Sequence, residues 1–287
     1  MSHGASGAAA DLHRPSKVRR SAIAGSWYPG DALQLRTMIA GFLEQVPSAR
    51  LDGDLVGLVA PHAGYMYSGQ VAAHAYAQLR GKGKALSRVV VVSPVHRMYS
   101  GAFAVTENEY YETPLGLVPV DTDLVEVVGR TVPLRRVPQD TEHSLEIQLP
   151  FLQFLLEKVA LTPIMMGDQD WESAQRLGHA LAGAIGQDDV LLVASTDLSH
   201  FHDAGVARKL DQAVLDLIEA YDPKGLAAAL AAHRAEACGG GPVAAVMLAA
   251  QELGATRAVV LQYANSGDVT GDRSNVVGYA AAALLRN

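Results

Sequence analysis

The chain has 287 residues, a length that suits one large domain or two small ones. Hydrophobic residues make up 49% and charged residues 18%, which excludes wholesale disorder, and no apolar run reaches the roughly 18 residues that span a bilayer. The net charge of −7 argues against binding to nucleic acid or to an anionic membrane, and the single cysteine, which excludes an internal disulfide framework, favours a reducing cytoplasm.

The first part of the chain differs in composition from the rest. Residues 1–19 are small, polar and aperiodic, so we expect a flexible tail, followed by a single α/β domain over 20–287. In chain order, apolar spacing in the first half predicts a strand at 55–60, a helix at 69–79, a strand at 88–94, a β-hairpin at 103–120 and a helix at 144–159. In the second half it predicts a strand at 161–166, a helix at 171–186, a strand at 190–195 and helices at 203–220, 223–233 and 241–253. The last two predicted strands are 258–264 and 275–285.

Two features of this pattern predict the fold. Strands alternate with helices, which predicts a three-layer α/β/α fold around a central, largely parallel or mixed sheet. The strands are continuous apolar runs, as expected when helices cover both faces of the sheet. In such sheets, ligands bind beyond the C-terminal ends of the strands.

Histidines follow three of the predicted strands. His62 stands in "APHAGYMYSG", His96 in "SPVHRMYSG", and Asp197, His200 and His202 in "TDLSHFHD". Each histidine taken alone could be a buried structural residue. Their occurrence at successive strand ends favours one functional cluster, and neutral imidazole is a common metal ligand.

Other polar residues leave two interpretations open. Tyr65 either shapes a pocket beside His62 or packs in the core. His143 and Glu146 in "DTEHSLEIQLP" share a helix face, either as a ligand pair or as part of a helix start that supports other ligands. Asn265, in the polar loop before the last strand, lines a pocket or belongs to a solvated connection.

Cys238 stands in "EACGGGPVAAV", where glycines and a proline predict a turn into a helix. A thiol near a helix N-terminus has a lowered pKa, which favours the thiolate. The alternative is a buried cysteine that acts as a small hydrophobic residue.

Seven segments, spread over residues 20–286, carry a resemblance to a known family: "GSWYPGD", "APHAGYMYSG", "SPVHRMYSG", "TEHSLEIQLPFL", "STDLSHF", "ACGGGPVAA" and "YANSGD…VGYAA". In these segments, and in their order, the chain resembles the Memo family, whose microbial members are also known as protein B of the AmmeMemoRadiSam system. The family fold is similar to that of the LigB-like class III extradiol dioxygenases, which are non-haem Fe(II) enzymes. The resemblance implies an AMMECR-type protein and a radical-SAM protein as partners.

The resemblance also implies roles for individual residues. His62, His96 and Cys238 match the metal ligands, with Fe(II) as the first expectation and Cu or Zn as alternatives. His200 matches a histidine that acts as acid or base near the substrate of the dioxygenases. Further polar positions around the site are implied for these residues: Asp197 and His143 in the catalytic group, and Tyr65, Glu146, His202 and Asn265 in the pocket or behind it.

The resemblance leaves three functions open. The first is a metal-dependent redox protein, with non-haem iron and a small-molecule or peptide substrate. The second is a non-catalytic scaffold that binds a peptide or a metal. The third is an extradiol-type aromatic dioxygenase, but those enzymes use two histidines and a carboxylate, so the cysteine counts against ordinary ring cleavage.

Overall fold

A computed structural model of the chain describes residues 17–48, 51–83, 85–97 and 101–287. The strands are β1 (Val18–Arg19), β2 (Asp54–Ala60), β3 (Arg88–Pro94), β4 (Phe103–Thr106), β5 (Tyr110–Thr113), β6 (Gly116–Pro119), β7 (Arg135–Val137), β8 (Ala160–Met166), β9 (Val190–Ser195), β10 (His200–His202), β11 (Arg257–Asn265) and β12 (Val276–Arg286).

The helices are α1 (Ala32–Glu44), α2 (Tyr65–Tyr76), α3 (Thr122–Gly129), α4 (His143–Glu146), α5 (Leu149–Leu155), α6 (Trp171–Ile185), α7 (Ala204–Glu219), α8 (Pro223–Ala231), α9 (Gly240–Glu252) and α10 (Gly267–Thr270), and a 3₁₀ turn (Ala77–Leu79) extends α2. Within the described ranges, no helix is both long enough and apolar enough to cross a membrane.

A mixed sheet forms the centre of the fold. Among the described residues, nine strands belong to it, in the order β10-β12-β2-β9-β3-β8-β4-β7, with β11 paired to β12. Strands β2, β9, β3 and β8 are parallel neighbours, whereas β12 and β4 run antiparallel to β2 and β8. A smaller sheet joins β1, β5 and β6.

Helices cover both faces of the main sheet. In β3, Val89 and Val91 pack into one hydrophobic cluster with α1, α2 and α5. The alternate residues Val90 and Val92 pack into a second cluster with α3 and α6 to α9. Because successive side chains of a strand point to opposite faces, this division confirms the predicted three-layer α/β/α fold around a mixed sheet.

The predicted hairpin at 103–120 is too long. Strand β4 lies in the main sheet beside β7 and β8, and the true hairpin is β5–β6 in the smaller sheet. Alternation along the sequence predicts extended structure but does not say which strands pair. The predicted helix at 144–159 is divided into α4 and α5, and Pro150, which in the sequence already indicates a kink or a boundary, lies in the first turn of α5. Strand β8 begins at Ala160, so the helical region ends earlier than predicted.

The predicted tail at 1–19 extends too far. Val18 and Arg19 form β1, which pairs in parallel with β5. The Arg19 side chain is 2% exposed and lies against Glu146 and Asp140. Residues 1–16 lie outside the described residues.

Candidate metal centre

The order of the parallel strands brings the strand-end residues together. Strands β2, β9 and β3 are neighbours, and His62, Asp197 and His96 follow their C-terminal ends. The ring centroids of His62 and His96 lie 5.1 Å apart. His143, at the start of α4, completes the group, with its ring centroid 4.6 Å from that of His96.

Three side chains form a group able to hold a metal ion. The ligand atoms of His62, His96 and Cys238 all lie within 4.8 Å of one another. His62 Nε2 is 3.1 Å from Cys238 Sγ. Two imidazoles and a thiolate suit Fe(II), Cu(I) or Zn better than a hard cation. A second group, His96 with Glu142 and His143, meets the same distance criterion and shares His96 with the first.

In both His62 and His96, Nδ1 already has a hydrogen-bonding partner. His96 Nδ1 lies 3.1 Å from Glu142 Oε1, and the His96 backbone N–H donates to Glu142 Oε2 at 2.7 Å. His62 Nδ1 lies 3.0 Å from Ser195 Oγ. Metal-binding histidines characteristically have their second nitrogen fixed in this way. Nε2 of both rings is therefore the nitrogen available to a metal, and the residues fit one.

The turn that carries Cys238 packs closely on β9. A Cβ added to Gly239 would lie 2.2 Å from the Ser195 carbonyl oxygen, so only glycine allows this approach. The Cys238 backbone N–H donates to the Asp197 carbonyl at 3.2 Å, and the Asp197 N–H points to Sγ at 3.3 Å. Burial raises the pKa of the Cys238 thiol, and the nearby Asp197 carboxylate raises it further. The predicted lowering is therefore wrong, and metal binding would have to displace the thiol proton.

Three further groups of the cluster have shifted pKa values. Burial raises the pKa of Asp197 to about 7, although backbone N–H groups, including that of His62 at 2.7 Å from Oδ1, act against the shift. Burial lowers the pKa of His143 to about 4 and also lowers that of His200. Both histidines are thus neutral at pH 7, and His200 Nδ1 lies 2.8 Å from the Leu198 carbonyl, which leaves its Nε2 free.

A cavity of about 720 Å³ opens above this cluster. His62, His96, His143, Asp197 and His200 all contribute to its lining. Apolar and aromatic residues line it beside them: Trp27, Met66, Tyr67, Phe201, Val277 and Tyr279. The sequence pattern did not single out Met66, Phe201, Val277 or Tyr279.

Phe201 is the most conspicuous of these apolar residues. It is 74% exposed and has a φ of 63°, a left-handed conformation that is uncommon outside glycine. Its position between His200 and His202 was a signal in the sequence, since an aromatic residue beside a candidate site can line a pocket. Trp27 also lines the cavity, and its ring centroid lies 4.4 Å from that of His143.

Two predicted pocket residues lie outside the cavity lining. Tyr65 is 2% exposed and its hydroxyl donates to the Ile147 carbonyl at 2.9 Å, so it packs in the core. The side chain of Asn265 accepts the Gly267 N–H at 2.9 Å and closes the turn before α10. Both residues support the local fold rather than the surface of the cavity.

Glu146 and His202 also lie outside the cavity lining. Glu146 is fully buried and pairs with Arg19, and it accepts the Tyr28 hydroxyl at 2.6 Å. His202 Nε2 lies 2.8 Å from Glu236 Oε2 near the surface. Glu146 therefore fastens the N-terminal segment, and His202 belongs to a partly exposed ion pair.

The chain is similar to known proteins over most of its length. The family model described as "Memo-like protein" matches residues 19–283. A MEMO1 family protein of Methanothermobacter thermautotrophicus is 39% identical over 274 residues, which cover 92% of this chain and 99% of the relative. A MEMO1 family protein of Methanosarcina mazei is 39% identical over 269 residues, which cover 92% and 98%. A solved structure of an uncharacterized protein from Escherichia coli K12 covers 80% of this chain and 99% of its own, with a TM-score of 0.46 and 12% identity. The family match and the two relatives show that the chain belongs to the Memo family.

Proposed function

We propose that the chain is a metal-dependent redox protein that holds a non-haem iron ion through His62, His96 and Cys238. The observation that carries the proposal is the approach of their ligand atoms to within 4.8 Å of one another, beside a cavity of about 720 Å³. When bound, iron supplies a redox couple and open coordination positions for a substrate. The softness of the thiolate favours iron, copper or zinc over magnesium or calcium.

The chain's own residues would supply the proton chemistry. His200 donates its Nδ1–H to the Leu198 carbonyl at 2.8 Å, so its free Nε2 can accept a proton from a molecule in the cavity. The Asp197 carboxyl, with its pKa near 7, can gain or lose a proton at neutral pH. These groups favour a catalytic site over a metal store, because a store needs ligands but no acid or base.

Metal analysis tests the ligand assignment. The protein is purified without an affinity tag and under anaerobic conditions, and its metal content is measured for the wild type and for His62→Ala, His96→Ala and Cys238→Ser. We expect near-stoichiometric iron in the wild type and its loss in each variant. His179→Ala is the matched control, because His179 is half-exposed on α6 and pairs with Glu252. Full metal occupancy in the three ligand variants would contradict the assignment.

Turnover separates the redox protein from a scaffold. The iron-loaded protein is incubated with oxygen and a panel of phenolic and peptidyl compounds, while oxygen uptake and products are followed. We expect more than one product molecule per protein. Stoichiometric binding without product would favour the scaffold, and a yellow ring-cleaved product from catechol would instead identify an extradiol dioxygenase.

A further inference from the structure

We infer that Ser195 is a positioning residue that fixes His62 in the tautomer able to bind the metal, an inference that rests on the proposed metal centre. Ser195 ends β9 and is fully buried. Its Oγ lies 2.6 Å from the Ser144 carbonyl oxygen, 2.8 Å from Gln148 Nε2 and 3.0 Å from His62 Nδ1. A serine hydroxyl has a single hydrogen to donate, so once one partner accepts it, the other partners of Oγ must themselves be hydrogen-bond donors.

The orientation of the Gln148 amide is settled first. Gln148 Nε2 lies 3.1 Å from the Pro61 carbonyl oxygen, and Oε1 lies 2.8 Å from the Tyr76 hydroxyl. A carbonyl oxygen can only accept, so the nitrogen must face Pro61. The same NH₂ group therefore donates its other hydrogen to Ser195 Oγ.

The hydrogen of Ser195 is settled next. The Ser144 carbonyl oxygen also can only accept, and it takes the hydroxyl hydrogen at 2.6 Å. Ser195 Oγ then has only lone pairs left for His62. His62 Nδ1 must consequently carry a hydrogen and donate it to Oγ across 3.0 Å.

This assignment determines the metal-facing side of the ring. A neutral imidazole with hydrogen on Nδ1 has its lone pair on Nε2. His62 Nε2 lies 3.1 Å from Cys238 Sγ, within the candidate metal group. The hydrogen bonds around Ser195 thus leave His62 ready to bind a metal before any metal arrives.

The two ligand histidines are held by different chemistry. His96 Nδ1 faces the Glu142 carboxylate, which accepts a hydrogen bond without depending on other groups. His62 is only 2% exposed and faces the neutral hydroxyl of Ser195. This hydroxyl acts as an acceptor toward His62 because the Ser144 carbonyl takes its hydrogen and Gln148 donates to it. A neutral acceptor fixes the tautomer of a deeply buried ring without placing a second carboxylate beside Asp197.

The test compares two serine variants. Ser195→Ala removes the acceptor of the His62 hydrogen. Ser93→Ala is the matched control, since Ser93 lies on the neighbouring strand β3, is also fully buried, and its hydroxyl has no hydrogen-bond partner among the described residues. Imidazole ¹⁵N chemical shifts are measured by NMR on metal-free protein at neutral pH, and His62→Ala identifies the His62 signals. Co(II) affinity is measured in parallel by the thiolate charge-transfer absorption.

We expect His62 to carry its hydrogen on Nδ1 in the wild type and in Ser93→Ala. In Ser195→Ala we expect the tautomer to move toward Nε2–H and the Co(II) affinity to fall about 10–100-fold, the usual effect of losing the group behind a metal-binding histidine. A wild-type His62 with hydrogen on Nε2 would overturn the inference, as would an unchanged tautomer and affinity in Ser195→Ala.

The two readouts separate this inference from the proposed function. The NMR measurement uses metal-free protein, so it judges the tautomer even if the wild type binds no metal, an outcome that would count against the metal centre alone. Should Ser195→Ala fail to fold, the wild-type spectrum still decides which nitrogen of His62 carries the hydrogen.

Discussion

Two glutamates at the ends of α4 carry out different tasks. Glu142 precedes the helix, accepts the N–H groups of its first turn, and holds His96 by both its ring and its backbone. Glu146 ends the helix and is buried against Arg19 and Tyr28, which belong to the N-terminal segment. One carboxylate supports the candidate metal centre, and the other fastens the start of the fold to its core. The comparison shows that the partner a carboxylate meets, rather than the motif that contains it, determines its role.

The electrostatic setting of Glu142 agrees with its role. Burial raises the pKa of this carboxyl, but the hydrogen bonds from His96, together with the electrostatic effect of the His143 and His96 imidazoles, outweigh burial and bring the pKa down to about 2. Glu142 is therefore ionised at neutral pH and accepts a strong hydrogen bond from His96.

The largest expected effect concerns Glu146, the carboxylate that anchors the N-terminal segment. Arg19→Met leaves Glu146 buried without its cation, so we expect the free energy of unfolding to fall by about 3–5 kcal/mol, measured by urea denaturation. Arg20→Met is the control, because Arg20 forms an exposed pair with Glu112 and should cost less than about 1 kcal/mol. Loss of metal from Arg19→Met at unchanged stability would contradict this separation of roles.

Two amide variants test the difference between Glu142 and Glu146 directly. Glu142→Gln weakens the hydrogen bond that fixes His96, so we expect metal affinity to fall about 10–100-fold. Glu146→Gln should lower the free energy of unfolding and leave metal affinity unchanged in the folded protein. Co(II) titration and urea denaturation of both variants give the four values needed. Equal effects on affinity would mean that the two carboxylates do not differ as described.

The smallest expected effect concerns a third carboxylate, that of Glu236, which pairs with a histidine near the surface. Glu236 Oε2 lies 2.8 Å from His202 Nε2, and the two side chains are 40% and 35% exposed. Solvent screens such a pair, so His202→Ala should change the free energy of unfolding by less than about 1 kcal/mol and leave metal content intact. Thermal unfolding and metal analysis check this expectation, and a loss of metal would place His202 in the centre after all.

The sequence predicted the part of the site that depends on local pattern. Continuous apolar runs located β2, β3 and β9, and parallel strands bring their C-terminal ends to one edge, so the convergence of His62, His96 and Asp197 followed. Helix α1 was missed, although Asp31, which accepts the Gln34 N–H, is a recognisable helix-capping residue.

The remaining features depend on contacts between distant residues. The partner of Glu146 is Arg19, 127 residues away in the chain, and no spacing rule connects them. The pKa of Cys238 was predicted from its place before a helix, but burial dominates once the turn packs on β9. The same holds for Ser195, an apolar-strand residue by pattern, whose contacts with Ser144 and Gln148 exist only in the folded chain.

The close packing of Gly239 against β9 limits how the turn that carries Cys238 can evolve. Any side chain at this position would meet the Ser195 carbonyl oxygen at 2.2 Å and push the turn, with Cys238, away from the two histidines. A single substitution therefore cannot move the candidate ligand from position 238 to position 239. Replacement of Cys238 in place, by a histidine or a carboxylate, is the shorter route to a different metal preference in the proposed centre.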